Sequence, residues 1–356
     1  MRYYDLSIYP PPSSPLQHQS VPARSVLFPQ KIAVPPKPIL HFSSHVPRNT
    51  QSGSYPKMSA PTDIVDPGAL EISFSFTQND SGIAEGTTGG AHVTIKGIDI
   101  TTINQASNLV GHTLILKAGM GKGLPLSNPN QVGTILHGTI QSSLGNWTQT
   151  ELSITFFVTS YQLPHPVSDA EKTAHLIHCA FKDNLKDAIR NAFRSVVHNP
   201  IITFNSTLNP IAKHDFIGSY PTLKELCVAC SDSWQQTTGM KLTITTLGNH
   251  ITFSDQTEDR PVKNIDFSDL IGQPSWNGVN NISVTCPLRG DLKVRDTISL
   301  PHGASTVGVS KFAKPLPKDK SLFSGLLEVT SISYLGDFRS PQGEQWATTI
   351  HCSSYA

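Results

Sequence analysis

Charge is scarce in this chain: Lys, Arg, Asp and Glu supply 15% of its 356 residues, against about 25% in ordinary soluble domains. The 27 basic and 26 acidic residues leave a formal net charge of +1, which excludes a general basic field for nucleic acid or anionic membrane. Apolar runs are short as well. None approaches the roughly eighteen residues that span a bilayer as a helix, and MRYYDLSIYPPP lacks the basic-then-apolar layout of a secretory signal. The expectation is a chain made and kept in a cytoplasm. Cysteine is limited to five scattered residues, an odd set that suits a reducing compartment in which none is paired. The sequons at Asn79, Asn146, Asn205 and Asn281 then carry no meaning. Ser, Thr, Asn and Gln are what abound, a composition that suits a surface largely buried against partners. The length leaves room for two or three domains, each able to bury a core.

Catalytic and cofactor signatures are equally sparse. The stretch Leu116 to Val158 holds Gly119, Gly121 and Gly123, followed by Pro125 and Pro129, which keep a helix from starting. A dinucleotide fingerprint needs glycine where Leu124 stands, and a phosphate loop needs Ser or Thr directly after its Gly-Lys, where Gly123 follows Lys122. The loop is therefore architecture. No Gly-x-Ser-x-Gly elbow occurs, and Ser-x-x-Lys appears only at Ser54 to Lys57, inside a proline-rich stretch. No helical segment presents the pair of facing carboxylates of a lysozyme-like site. Cys227 and Cys230 form a Cys-x-x-Cys, but within a predicted helix and beside apolar residues, where free cysteine packs as a small hydrophobe. Zinc would need two more ligands. His175 and His178 point to opposite faces of a strand, and His41 and His45 fall in the proline-rich stretch. The expectation is no catalytic residue, no metal and no cofactor. Arg289-Gly290-Asp291 reads as a tight turn between strands, with Gly290 supplying the turn geometry.

Along the chain, residues 1 to 61 carry 12 of the 27 prolines. Tyr3 to Tyr9 alternate well enough for one strand, and the rest reads as an extended arm. That arm is either free or docked on a neighbouring subunit through Val26, Leu27, Phe28, Ile39, Leu40 and Phe42. From Ala69 the pattern has period two: Leu70, Ile72, Phe74 and Phe76 share one face, and Val93 and Ile95 repeat it. Ile103, Ala106 and Leu109 lie at helical spacing after capping-type residues. Strands over Thr113 to Leu116, Gln131 to Ser142 and Thr150 to Tyr161 complete an antiparallel barrel.

Pro164 and Pro166 mark a boundary. Beyond it, Thr173 to Phe181 reads as a strand, and Asp183 or Asn184 caps a helix with the stripe Leu185, Ala188, Ile189, Ala192, Phe193 and Val196. A strand over Ile201 to Leu208 follows, then a Thr222-capped helix carrying Leu223, Leu226, Val228, Cys230 and Trp234. A hairpin turns at Gly248-Asn249 between Lys241 to Leu247 and His250 to Ser254. From Ile265 short strands return, at Ile282 to Cys286, Thr297 to Leu300, Gly325 to Tyr334 and Gln345 to Cys352, as a second barrel. The organisation expected is an N-terminal strand and arm over 1–66, a first barrel over 67–166, an inserted α+β domain over 167–262 and a second barrel over 263–356.

Several segments in order resemble one family. They are MRYYDLSIYP at the start, DPGAL at Asp66 to Leu70, the AGMGKGLPLSNP loop, LGNW at Leu144 to Trp147, GSYPTL at Gly218 to Leu223, PLRGDLKVRD at Pro287 to Asp296 and LGDFR at Leu335 to Arg339. Together they are similar to the baseplate hub proteins of contractile-tailed bacteriophages, which connect the tail tube to the membrane-piercing spike. The likeness covers most of residues 60 to 352; residues 11 to 60 are longer and more proline-rich than in that family.

The resemblance implies a mainly β fold, with two tube-protein-like antiparallel β-barrels plus a small α+β domain. It implies a non-enzymatic homotrimer whose paired barrels form a pseudo-six-fold ring, offering six similar surfaces to the tail tube and three equivalent insertions to the central spike. Other baseplate wedge or tail proteins are further expected partners, tape measure and DNA pass through the channel, and no part spans a membrane. The expected location is the virion tail baseplate, assembled in the bacterial host cytoplasm. The interface elements expected are the Gly119 to Pro129 loop (Gly119, Met120, Gly121, Lys122, Gly123, Leu124 and Pro125), the Leu144 to Trp147 turn with Trp147, and the Arg289 to Asp296 turn with Arg289 and Asp291. The competing readings are a tail-associated wall-degrading enzyme and a receptor-binding tail protein.

Overall fold

Alternation of apolar and polar residues builds most of the molecule. In the computed structural model, residues 1–11, 37–46, 65–79, 91–121, 128–161, 175–197, 199–255, 257, 262–278, 281–301 and 326–354 are described. Strand β3 (Glu71–Asn79) buries Ile72, Phe74 and Phe76 while its serines face outward, and β4 (Ala91–Lys96) buries Ala91, Val93 and Ile95 in the same rhythm. With side chains alternating across the pleat, each strand offers one apolar face to a core. Asp99 caps the short helix α1 (Ile100–Asn104) by accepting from the Thr102 amide. A further helical turn over Ala106–Leu109 buries Ala106 and Leu109.

The chain then runs through β5 (Thr113–Met120), β6 (Gly133–Thr148) and β7 (Glu151–Val158). Near the N-terminus lie β1 (Arg2–Tyr9) and β2 (Leu40–Ser43). Towards the C-terminus lie β13 (Val262–Asn264), β14 (Ser275–Gly278), β15 (Asn281–Pro287), β16 (Thr297–Ser299), β17 (Leu326–Asp337) and β18 (Trp346–Ser354). These strands form one 13-stranded sheet in the order β14-β15-β18-β17-β3-β4-β7-β6-β5-β1-β2, with β16 on β17 and β13 parallel to β16. The strands assigned to two barrels are therefore continuous, joined where β17 pairs with β3 from Ser331↔Asn79 to Asp337↔Ser73.

Two long strands let this sheet fold over. The first part of β6 pairs with β5 and its later part with β7, with a bulge between Ile140 and Ser142. Strand β17 begins on β16 and ends on β3, with an irregularity between Val329 and Ser331 in its ladder with β18. A bulge sharpens the local bend and twist. Residues from both ends of the sheet consequently meet in a single core, among them Leu6, Phe74, Leu116, Ile154, Val284, Ile332 and Ile350. Leu40 and Phe42 pack against this same core. Ile39 beside them is 47% exposed, and Val26, Leu27 and Phe28 lie outside the described residues.

The mainly β class with an inserted α+β unit holds. The insertion comprises β8 (His175–Cys179), α2 (Leu185–Val196), β9 (Ile201–Asn205), β10 (Phe216–Tyr220), α3 (Leu223–Thr238), β11 (Thr243–Leu247) and β12 (His250–Ser254). Asn184 caps α2 through the Lys186 amide, and Thr222 caps α3 through the Glu225 amide. Helix α3 buries Leu223, Leu226, Cys227, Cys230 and Trp234, whereas Val228 is 48% exposed. At 100° per residue Val228 falls off that stripe, although it is one of the apolar residues the helix carries. Cys227 and Cys230 pack in the unit's own core, and burial pushes the Cys227 thiol up to about 12 and Cys230 well above its ordinary value, so both stay protonated. Phe204 stacks on Phe253 at 4.6 Å and on Trp234 at 6.3 Å, and Phe193 meets Phe253 edge-on at 5.0 Å. Among the described residues no helix is long and apolar enough to cross a membrane, which says nothing of a β-barrel.

Candidate functional site

The three segments expected at interfaces end up in different settings. Gly119 and Met120 belong to β5 and pair with Tyr3 and Arg2 of β1. Gly121 continues that ladder: its amide donates to the Met1 carbonyl at 2.6 Å, and the terminal amine of Met1 donates to the Gly121 carbonyl at 3.0 Å. These residues are buried sheet. Lys122, Gly123, Leu124 and Pro125 lie outside the described residues.

Arg289 and Asp291 form part of an internal junction. Arg289 is 3% exposed and donates to Asp269 Oδ2 at 3.1 Å, to Asp291 Oδ1 at 3.1 Å and to Asp291 Oδ2 at 2.9 Å. Gln131 donates to the same Asp269 oxygen at 3.0 Å. The forked guanidinium matches a carboxylate with two parallel bonds, a geometry lysine cannot supply. Beside it the backbones touch. The Gly290 amide donates to the Gln131 carbonyl at 2.8 Å, and a Cβ on Gly133 would sit 2.1 Å from the Gly290 oxygen. Gly290 and Asp291 form a bend, and Gly290 does not take a positive φ. The hydrogen-bonded turn falls later, where the Asp296 amide donates to the Lys293 carbonyl at 3.1 Å; Arg289 itself faces inward.

Among the described residues of these segments, Leu144 to Trp147 is the exposed stretch, although it pairs with β7 and Gly145 backs onto Ile103. It ends β6, and Thr148↔Glu151 pairing leaves Gln149-Thr150 as a two-residue turn, with Gln149 at φ 56°. Residues 144–150 are all exposed, Leu144 by 53% and Trp147 by 69%. The Trp147 Nε1 donates to the Gln149 carbonyl at 2.8 Å, so the polar atom is used inside the hairpin and the apolar ring is presented outward. None of these seven residues is charged. A shallow groove of about 540 Å³ lies beside the turn end of the hairpin, lined by Leu70, Ile98, Thr150 and Leu152. Lys96 crosses its rim to Glu71 at 3.1 Å and Glu151 at 3.7 Å; such exposed pairs stabilise little.

Two features escaped sequence reading. Trp346 at the start of β18 is 1% exposed, donates from Nε1 to the Gly119 carbonyl at 2.9 Å, and packs edge-on against Phe74 at 5.4 Å and Phe338 at 6.0 Å. Arg2 lies over its ring and donates to the carbonyls of Asp337, Phe338, Ser340 and Gln342, closing the turn after β17 with the second residue of the chain. An arginine next to tyrosines in a strand gives no sequence signal for a partner more than 330 residues away.

The second feature is His137 on β6, packed against the β11–β12 turn. Burial, and then the nearby His250, push its imidazole down to about 4. It is therefore neutral when folded and protonated below about 6.5 when unfolded. The unfolded chain binds the extra proton between those values, so stability is full above about pH 7 and falls as pH drops towards 4, by on the order of 3 kcal/mol. Urea titrations between pH 7.5 and 4.5 should show this limb in the wild type and about one proton less slope in His137→Leu. An identical slope in the variant would refute the assignment. Among the described residues, no three His, Cys, Asp or Glu side chains converge as metal ligands.

No protein-family model and no curated protein matches the sequence. Solved structures show overall likeness, three of them as follows. A tail protein from Neisseria meningitidis MC58 is 9% identical with a TM-score of 0.44, covering 80% of this chain and 96% of its own. The 43 kDa tail protein of prophage MuSo2 from Shewanella oneidensis is 10% identical with a TM-score of 0.43, covering 80% and 98%. The structure described as a lidless PdpA–VgrG complex is 8% identical with a TM-score of 0.46, covering 100% of this chain and 65% of that one. Likeness of this degree assigns no function.

Proposed function

We propose that the chain is the baseplate hub of a contractile phage tail, a non-enzymatic structural protein. In this reading three copies form a ring that joins the six-fold tail tube to the three-fold central spike around a channel for tape measure and DNA. The hub sits in the virion baseplate, with wedge or other tail proteins as outer neighbours. The ordered sequence resemblance supports this reading, and so does the division of labour in the fold, a continuous sheet built from both halves with a separately cored α+β unit inserted between them.

The observation that carries it furthest is the uncharged finger at residues 144–150. A tryptophan 69% exposed, with its Nε1 already bonded within the finger, presents an apolar ring to water. Aromatic anchors of this kind are what protein interfaces bury. The absence of Lys and Arg from the finger argues for a protein partner over a phosphate backbone.

Light scattering at micromolar concentration should give the mass of three 38.6 kDa subunits. Trp147→Ser should change the unfolding free energy by less than about 0.5 kcal/mol, as exposed positions do, while shifting that mass towards one subunit. A wild-type mass of one subunit would sink the ring. A variant that assembles like the wild type would remove the finger from the interface.

A further inference from the structure

The sheet and the α+β unit have separate cores that share no buried side chain. Among the described residues, hydrogen bonds between the two bodies gather at the tip of the β11–β12 hairpin. The Gly248 amide donates to the His137 carbonyl at 2.8 Å and to the Ser160 carbonyl at 3.0 Å. The hydroxyls of Ser160 and Thr246 meet at 3.0 Å. Gly248 has φ 65°, and a Cβ there would sit 2.2 Å from His137 Nδ1, so the imidazole rests directly on the glycine. Tyr161 bridges to Gly248 in parallel register and packs against the core of the α+β unit, although the residue before it, Ser160, bonds from the sheet side.

We propose that this tip is a latch. The α+β unit leaves the sheet by releasing Gly248 and Thr246 from His137 and Ser160, as a body with its own core intact, and a partner bound to the unit can re-aim it without unfolding either core. A contact of few polar bonds between two densely packed bodies is where a local opening is favoured over global unfolding. Movement of whole bodies about a few terminal residues is a common form of conformational change. This device rests on the geometry of the junction and is independent of the hub reading.

Hydrogen exchange followed by mass spectrometry on the full chain tests it. Gly248→Ala puts a methyl group against the imidazole and should speed exchange of the peptide spanning 243–250 at least tenfold. Exchange of α2 and of β4 should stay within twofold of the wild type. The substitution also strains the turn itself, so a second variant approaches from the sheet side. Ser160→Ala leaves the hairpin sequence untouched and should speed exchange of the same peptide severalfold, again sparing α2 and β4. Acceleration spread equally over α2, β4 and the tip would show one cooperative body and overturn the latch. Unchanged exchange at the tip in both variants would overturn it as well.

Discussion

Arg289→Ala is expected to lower the unfolding free energy by about 3–5 kcal/mol, the range for breaking a buried ion pair from one side. The size follows from what is left behind. Asp269 and Asp291 together take three hydrogen bonds from the guanidinium, and Asp269 is itself 7% exposed, so removing the arginine strands carboxylate charge away from water. The loss should propagate. Asp269 also holds Gln131, whose carbonyl receives the Gly290 amide, so one arginine organises the segment before β6, the turn after β15 and the short helical turn over Phe267–Asp269. Arg289→Lys should recover only part of the loss, because an ammonium cannot make the paired bonds to Asp291. Replacing Arg289, Asp269 and Asp291 together with Leu, Asn and Asn should recover more than Lys does, since no buried charge then lacks a partner. Urea midpoints with unchanged slopes would report these differences as stability. A loss below about 1 kcal/mol in Arg289→Ala would refute the keystone role.

Trp346→Ala is the second large effect, about 3–5 kcal/mol as for other buried large-to-small aromatic substitutions. The ring fills the space between Phe74 from the first half and Phe338 from the second, and supports the Arg2 guanidinium. Trp346→Phe separates the two contributions. It keeps most of the ring but leaves the Gly119 carbonyl without its indole donor, which should remove about 1–3 kcal/mol. If both variants lose the same amount, the hydrogen bond outweighs the packing. If neither loses more than about 1 kcal/mol, Trp346 is not a joint between the halves.

Local structure was largely legible from residue order. The Ile72, Phe74 and Phe76 face, the caps at Asn184 and Thr222, and the Gly248-Asn249 hairpin all appear where the pattern places them. Each depends on neighbours within a turn or a pleat, so period and capping chemistry suffice. Val228 is apolar yet exposed, since an apolar side chain in a helix does not by itself state which face it occupies. Strand β2 was missed because four residues between prolines offer too little alternation to read.

For the candidate site the division is similar. Leu144–Trp147 was picked out by sequence resemblance and expected as a turn, whereas it lies in β6 and the turn falls at Gln149-Thr150. Arg289 could not be recognised as buried, because its partner Asp269 is 20 residues away and Gln131 lies in the other half. The sequence by itself determined the mainly β class, the inserted α+β segment, the faces of its strands and helices, and the scarcity of charge. Only the tertiary structure decided that β3 and β17 join both halves in one sheet, that Arg2 closes the β17 turn, and that Arg289 faces inward while Trp147 faces out. Strand order and burial depend on contacts between residues far apart in the chain, and such contacts follow from how whole faces pack together.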